Sequence, residues 1–196
     1  MLKLGITGDI GSGKTTAASY LKNKRTIVFN ADMEAKIHLK KFISLQNKLI
    51  DIFGSLITTN GKLDLKKLAE IAFENKKNQS ILNGIMWPEV SILISKNIER
   101  AMKNNYKIII VDAALLFEAN LQHYFDKILL VKAEKNVRLS RAIKRSNLSL
   151  NQIEKRMTIQ QSKIKKENLS DFIIDNNSSI DEFRLKLDEI YETIKI

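Results

Sequence analysis

The residues with the clearest chemical use stand in the first sixteen positions. Gly8-Asp9-Ile10-Gly11-Ser12-Gly13-Lys14-Thr15 fits the spacing G-x-x-x-x-G-K-[ST], the pattern of a loop that cradles nucleotide phosphates. Glycines let successive backbone N–H groups turn toward an anion with no Cβ in the way. A helix opening near Lys14 adds its positive dipole end and its unpaired N–H groups. Lys14 can reach the terminal phosphates of ATP, and the Thr15 hydroxyl can ligate Mg²⁺. Gly11, Ser12, Gly13 and Thr16 complete the candidate ATP-binding loop.

Two carboxylates follow apolar runs. Asp32 stands just past Thr26-Ile27-Val28-Phe29-Asn30. It could accept a proton from an attacking hydroxyl, orient that hydroxyl, hold Mg²⁺ through water, or serve only as a helix N-terminal charge. Asp112 ends the run Lys107-Ile108-Ile109-Ile110-Val111-Asp112. It is similar to a Walker-B aspartate, an outer-sphere Mg²⁺ ligand, and equally fits an ordinary strand-end acid. Leu115-Leu116-Phe117-Glu118 comes next. Apolar residues there are normally core; here they could line a pocket for an apolar or aromatic part of an acceptor, with Glu118 as a polar anchor.

The most basic stretch is 138–166. Arg138, Arg141, Lys144, Arg145, Lys155, Arg156, Lys163, Lys165 and Lys166 face a single acid, Glu154. Arg138, Arg141 and Arg145 lie at i, i+3 and i+7, on one helical face. Such a run is often a solvated surface. Beside a phosphate loop it reads instead as a lid over about 138–168 that closes on a transferring phosphoryl group and excludes water.

The elements that must hold these residues can be read from apolar runs and their breaks. Strands are expected at 2–6, 26–30, 107–112, 126–131 and 172–174. The run at 107–112 suits a central parallel strand buried on both faces. Helices are expected from 14 to about 23, and from 31 toward 53. Others are expected over 65–73 behind an Asp64 N-cap, over 78–86, and over 89–104 with Pro88 where that helix starts. Further helices are expected over 134–145, from Ser149 past Met157, and over 181–194. Residues 40–105 hold no strand candidate and read as a helical excursion too long for a simple crossover. Alternating strands and helices imply an α/β protein with a five-stranded parallel sheet. Ligands bind outside the C-terminal strand ends of such sheets.

At 196 residues with no cysteine, the chain suits one domain without disulfides or a Cys-based metal site. Its two histidines, His38 and His123, are too isolated to suggest zinc. No apolar run approaches the roughly eighteen residues of a membrane span. With a strand starting at Leu2, no signal or transit peptide is expected, and a cytoplasmic location is. The 33 basic and 22 acidic residues give a net charge of +11. That balance fits either a nucleic-acid surface or a polyanionic small substrate. The few aromatics are not interleaved with the basic residues, which favours the small substrate, with no nucleic acid and no membrane as partner.

Taken together, these residues resemble the dephospho-CoA kinases, relatives of the nucleoside monophosphate kinases with a helical CoA-binding insertion. The opening loop through Thr16 matches. Ala31-Asp32 followed by Ala35-Lys36 is similar to the family's Asp-Ala-Asp…Ala-Arg segment, and 115–118 to its Pro-Leu-Leu-Phe-Glu. Arg141, Arg145, Arg156 and Gln160 match its lid pattern, and Asp171 with Ile174-Asp175-Asn176 its closing segment. The matches run from 2 to about 178. Departures are Asn30 for the first aspartate, Trp87 for a usual histidine before Pro88, Ala114 for a proline, Ser178 for a glycine, and Asp9 where glycine is common.

The resemblance implies a P-loop NTPase fold, with the helical insertion at about 40–105 binding CoA. It implies that ATP phosphorylates the ribose 3′-hydroxyl of dephospho-CoA, the last step of CoA biosynthesis. It implies catalytic roles for Asp32, Lys14 and Arg141, ATP contacts from Arg145, Asp175 and Asn176, and Mg²⁺ on Thr15. Dephospho-CoA would be seated by Asp32, Lys36, Leu115, Leu116, Phe117 and Glu118. A monomer or weak homo-oligomer is expected. The sequence alone leaves two alternatives: another small-molecule kinase of this fold, of nucleoside monophosphate or shikimate type, and a nucleic-acid-binding ATPase.

Overall fold

The computed structural model describes residues 1–23, 25–145, 149–159 and 166–194. Gln160, Lys163 and Lys165, named above as lid residues, lie outside the described residues. Five parallel strands form one sheet. They are β1 (Leu2–Thr7), β2 (Thr26–Asn30), β5 (Ile108–Asp112), β6 (Lys127–Lys132) and β7 (Phe172–Asp175), in the order β2-β5-β1-β6-β7. Every residue of β5 is buried, as its unbroken apolar run requires of a strand with helices on both faces.

Alternate residues of these strands feed two cores. Leu4, Ile6, Ile108, Ile110, Leu129 and Val131 pack beneath α1 (Lys14–Tyr20) and α8 (Ile180–Ile194), which adds Phe183 and Leu187. Ile109, Val111 and Ile128 face the other way, toward Ile94 and Ala101 of α5 (Lys76–Lys103). Register aligns the strand ends that matter. Asn30 of β2 pairs with Asp112 of β5, and Asp112 pairs with Ile6 of β1.

Between β2 and β5 lies a helical layer with a core of its own. It holds α2 (Ala31–Lys41), α3 (Ile43–Phe53), α4 (Leu65–Ala72) and the first half of α5. Leu39, Leu45, Leu49, Ile57, Leu68 and Ile85 are buried together there. The sequence reading differs from this layer in three places. The helix expected from 31 toward 53 breaks at Phe42, which is extended at φ −104°, ψ 103°. Gln46 Nε2 donates to the carbonyls of Leu39 and Lys40 at 3.0 and 2.9 Å, so the end of α2 is satisfied without continuing the helix.

Secondly, the excursion is not wholly helical. Thr58–Thr59 (β3) and Lys62–Leu63 (β4) form a hairpin. Asn60 and Gly61 turn it, with φ 51° and 74°, the left-handed pair that a two-residue hairpin needs. Thirdly, Pro88 does not divide two helices, because α5 runs through it. An interior proline costs about 3 kcal/mol. Here both flanks are held by packing, with Ile81, Leu82 and Met86 against the helical-layer core and Val90, Leu93 and Ile98 against the sheet. That burial outweighs one lost hydrogen bond.

After β6 come α6 (Lys135–Arg145) and α7 (Leu150–Ile159), then the short 3-10 turn Lys166–Leu169 that leads to β7. Ser149 caps α7 as expected, its hydroxyl accepting from Gln152 N at 3.3 Å. Among the described residues, no helix is long and apolar enough to cross a membrane.

Candidate active site

The strand ends converge on the glycine-rich loop between β1 and α1. Gly13 precedes α1 at φ 107°, and a Cβ there would stand 2.3 Å from Asn176 Nδ2. Only glycine tolerates both the backbone angle and the approach. Asn176 is buried just past β7 and donates to Ser12 O at 2.8 Å. A sequence-predicted nucleotide contact is therefore also a brace for the loop. Lys14 Nζ donates to Asp9 O at 3.4 Å, curling over the loop.

Thr15, Asp112 and Asn30 form one cluster. Asp112 is 1% exposed, and its Oδ2 accepts from Thr15 Oγ1 and from Asn30 Nδ2, both at 2.8 Å. The other oxygen of Asp112, Oδ1, is buried with no hydrogen-bond partner among the described residues. An orphaned carboxylate oxygen beside the loop threonine fits a hard divalent cation, which takes oxygen ligands and keeps water and phosphate in its shell. No group of three or more His, Cys, Asp or Glu suited to a metal occurs among the described residues. Asn30 does a second job, its Oδ1 accepting from Met33 N at 2.8 Å and so capping the helix that carries Asp32.

Asp32 lies in the first turn of α2, its Oδ2 accepting from Ala114 N at 3.3 Å. One side is open to solvent, but surrounding protein displaces much of its hydration. That loss raises its pKa above the ordinary value, and nearby Asp112 adds to the rise. Lys14, the Ala114 N–H and Lys36 oppose it. Lys14 mirrors this. Burial pushes its ammonium below the usual value, while Asp32, Asp112 and Asp9 pull it back. The two side chains thus feel each other's charge across the place where phosphate oxygens would sit.

The basic helices approach from the far side of the loop. Arg141 Nη1 donates to Asn176 O at 2.9 Å, close to the loop. Arg138 Nη1 pairs with Asp9 Oδ2 at 3.1 Å. Arg145 is exposed at the end of α6, Thr16 is exposed on α1, and Lys36 is exposed on α2. Asp175 is exposed at the end of β7, and its carbonyl accepts from Lys186 Nζ at 3.1 Å.

The segment 115–118 divides between core and surface. Leu116 and Phe117 are 0% and 2% exposed, within the core beneath α5. The chain after β5 folds these apolar residues back onto the sheet. Leu115 and Glu118 stay partly accessible. Glu118 pairs with Lys166, Oε1 to Nζ at 3.1 Å. The sequence singled out Asn30 only as a departure. Its pairing with Asp112 depends on β2 and β5 being neighbours, which no local pattern in the sequence reports.

A phosphate loop, a lysine, a threonine–aspartate pair and a second carboxylate with a raised pKa suit transfer of a phosphoryl group to a hydroxyl. Comparison with known proteins agrees with this chemistry. The family model described as dephospho-CoA kinase (CoaE) matches residues 2–182. The dephospho-CoA kinase of Fusobacterium nucleatum is 39% identical over 193 residues, covering 97% of this chain and 97% of that protein. The crystal structure of TT1252 from Thermus thermophilus is similar with a TM-score of 0.79 at 25% identity, covering 100% of this chain and 98% of that one. The dephospho-CoA kinase from Campylobacter jejuni is similar at 0.67 and 26% identity, covering 98% and 96%.

Proposed function

The chain belongs to the dephospho-CoA kinase family, and from that membership we propose how its residues divide the work. It is an ATP-dependent kinase that phosphorylates the ribose 3′-hydroxyl of dephospho-CoA, giving CoA and ADP in CoA biosynthesis. The loop N–H groups and Lys14 hold the donor phosphates. Asp32 takes the proton of the 3′-hydroxyl as its oxygen bonds to the γ-phosphorus and the bond to the bridging oxygen of ADP breaks. Arg141 closes over the transferring group from a lid formed by α6 and α7, and Lys36 and Leu115 border the acceptor. Thr15 and Asp112 would hold Mg²⁺. When bound, that ion supplies positive charge to the phosphate oxygens.

The observation that carries the assignment of Asp32 is its setting. It is a carboxylate fixed by the Ala114 N–H, raised in pKa by lost hydration, and coupled in charge to the phosphate-loop lysine. A base with a raised pKa accepts a proton more readily than an ordinary aspartate. Asp32→Asn should lower kcat by about 10²- to 10⁴-fold while ATP still binds. Turnover near that of the unaltered enzyme, in an assay of ADP release with dephospho-CoA, would remove Asp32 as the base. The same assay with nucleoside monophosphates and shikimate should give no comparable rate.

A further inference from the structure

A carboxylate in a phosphate loop repels the phosphates it lies beside, so Asp9 needs a use of its own. Its two oxygens are both engaged. Oδ2 pairs with Arg138 Nη1 at 3.1 Å, in the first turn of α6. Oδ1 pairs with Lys166 Nζ at 3.3 Å, where the chain comes back toward β7. Lys166 is 8% exposed and continues to Glu118 Oε1 at 3.1 Å. Charges therefore alternate along Glu118, Lys166, Asp9 and Arg138, linking the wall after β5, the return of the basic segment, the loop and the start of α6.

An apolar contact backs the charged ones. Ile10 packs with Leu139 against Ala142, Ile153 and Met157, the small core that α6 and α7 share. Gly11 lets the backbones touch. A Cβ there would stand 2.3 Å from Arg138 O. Three consecutive loop residues thus dock on one helix, and the first of them also reaches the far end of the basic segment.

We propose that Asp9 is a positioning residue that ties both ends of the segment 138–166 to the phosphate loop and thereby sets where Arg141 stands. The role of Arg141 rests on the kinase reading above. Arg138 and Arg141 are three residues apart on α6 and share a face. Holding Arg138 on Asp9 fixes the rotation of α6 about its axis. Arg141 is then delivered to Asn176 O at 2.9 Å, beside Ser12, which Asn176 braces. Loss of the Asp9 charge frees α6 to roll while removing a repulsive charge from the phosphate site. It should therefore harm transfer more than ATP binding.

The test uses the full chain with Asp9→Asn, which keeps the size and removes the charge. Without nucleotide, amide hydrogen exchange across 135–145 should quicken about fivefold or more, with α8 unchanged. In steady state with ATP and dephospho-CoA, kcat should fall about 10- to 100-fold, with KM for ATP changed less than about threefold. Arg138→Gln cuts the same bond from the other side and should reproduce the exchange and kcat effects, so poor folding of one variant leaves the other to decide. Unchanged exchange over 135–145 in a folded variant overturns the tether. Quickened exchange with unaltered kcat overturns its link to Arg141. If the unaltered enzyme does not phosphorylate dephospho-CoA, the kinase reading fails and the exchange data still judge the tether.

Discussion

Asp32 ties activity and stability to pH in opposite senses. Its pKa is raised in the folded protein by lost hydration, so between the unfolded and folded values the native state binds more protons than the unfolded chain. Stability must then fall as pH rises through that window, which begins at the ordinary carboxylate value of about 4. Activity must rise through the same window if the ionised form is the base. The acid limb of kcat/KM should accordingly lie above the ordinary carboxylate range, and urea midpoints measured from about pH 4 to about pH 8 should decline through it. Asp32→Asn should flatten this contribution and be the more stable protein at neutral pH while nearly inactive. A variant that loses activity and stability together would contradict this account. The spacing of the loop made Lys14 and Thr15 legible in the sequence, since that pattern requires the strand, turn and helix around it. The partners of Asp112 were not legible. They depend on which strands are neighbours, and β2 and β5 are separated by the whole helical layer.

At the level of elements, the helical layer has a core that owes little to the sheet. Leu49 is wholly buried in it, at 0% exposure. Leu49→Ala should cost about 2 to 5 kcal/mol of packing, and its effect should be local. If this layer seats the acceptor, KM for dephospho-CoA should rise well beyond any change in KM for ATP. A matched change in both would place the acceptor elsewhere. This layer is also where sequence patterns spoke least clearly. Asn60-Gly61 reads equally as a helix breaker and as a hairpin turn, because the flanking Thr58–Thr59 and Lys62–Leu63 are too short to show alternation. Pro88 signals a helix start on local grounds, and packing from two cores overrides the signal. Leu116 and Phe117 follow β5 in the chain and lie in the core beneath α5. Position along the chain does not say toward which face a side chain turns.

The whole molecule carries a net charge of +11, and its donor and acceptor are both polyanions. Association should therefore be steered by the field of the protein. Raising ionic strength from about 0.05 to about 0.5 M shortens the Debye length severalfold. That change should lower kcat/KM for dephospho-CoA while leaving kcat nearly constant. A salt-independent kcat/KM would mean that the basic residues act only by contact. The α/β class and the five parallel strands were legible because each strand is a short apolar run ending at a polar residue. Their order was not, because no local pattern reports a neighbour.

That order has a consequence for how the protein comes into being. β1 and β2 follow one another in the chain but do not pair. Each pairs with β5 on opposite sides. On a ribosome adding about 5 to 20 residues per second, the chain from Asn30 to Ile108 takes roughly 4 to 16 s to emerge. Throughout that interval the first two strands have their sequence but not the partner they share. The helical layer between them, with contacts close in sequence and a core of its own, is free to form first. The phosphate loop is translated well before β5, yet it gains its supporting strand on one side only then. It gains its brace from Asn176 only after a further 164 residues beyond Ser12 have been made.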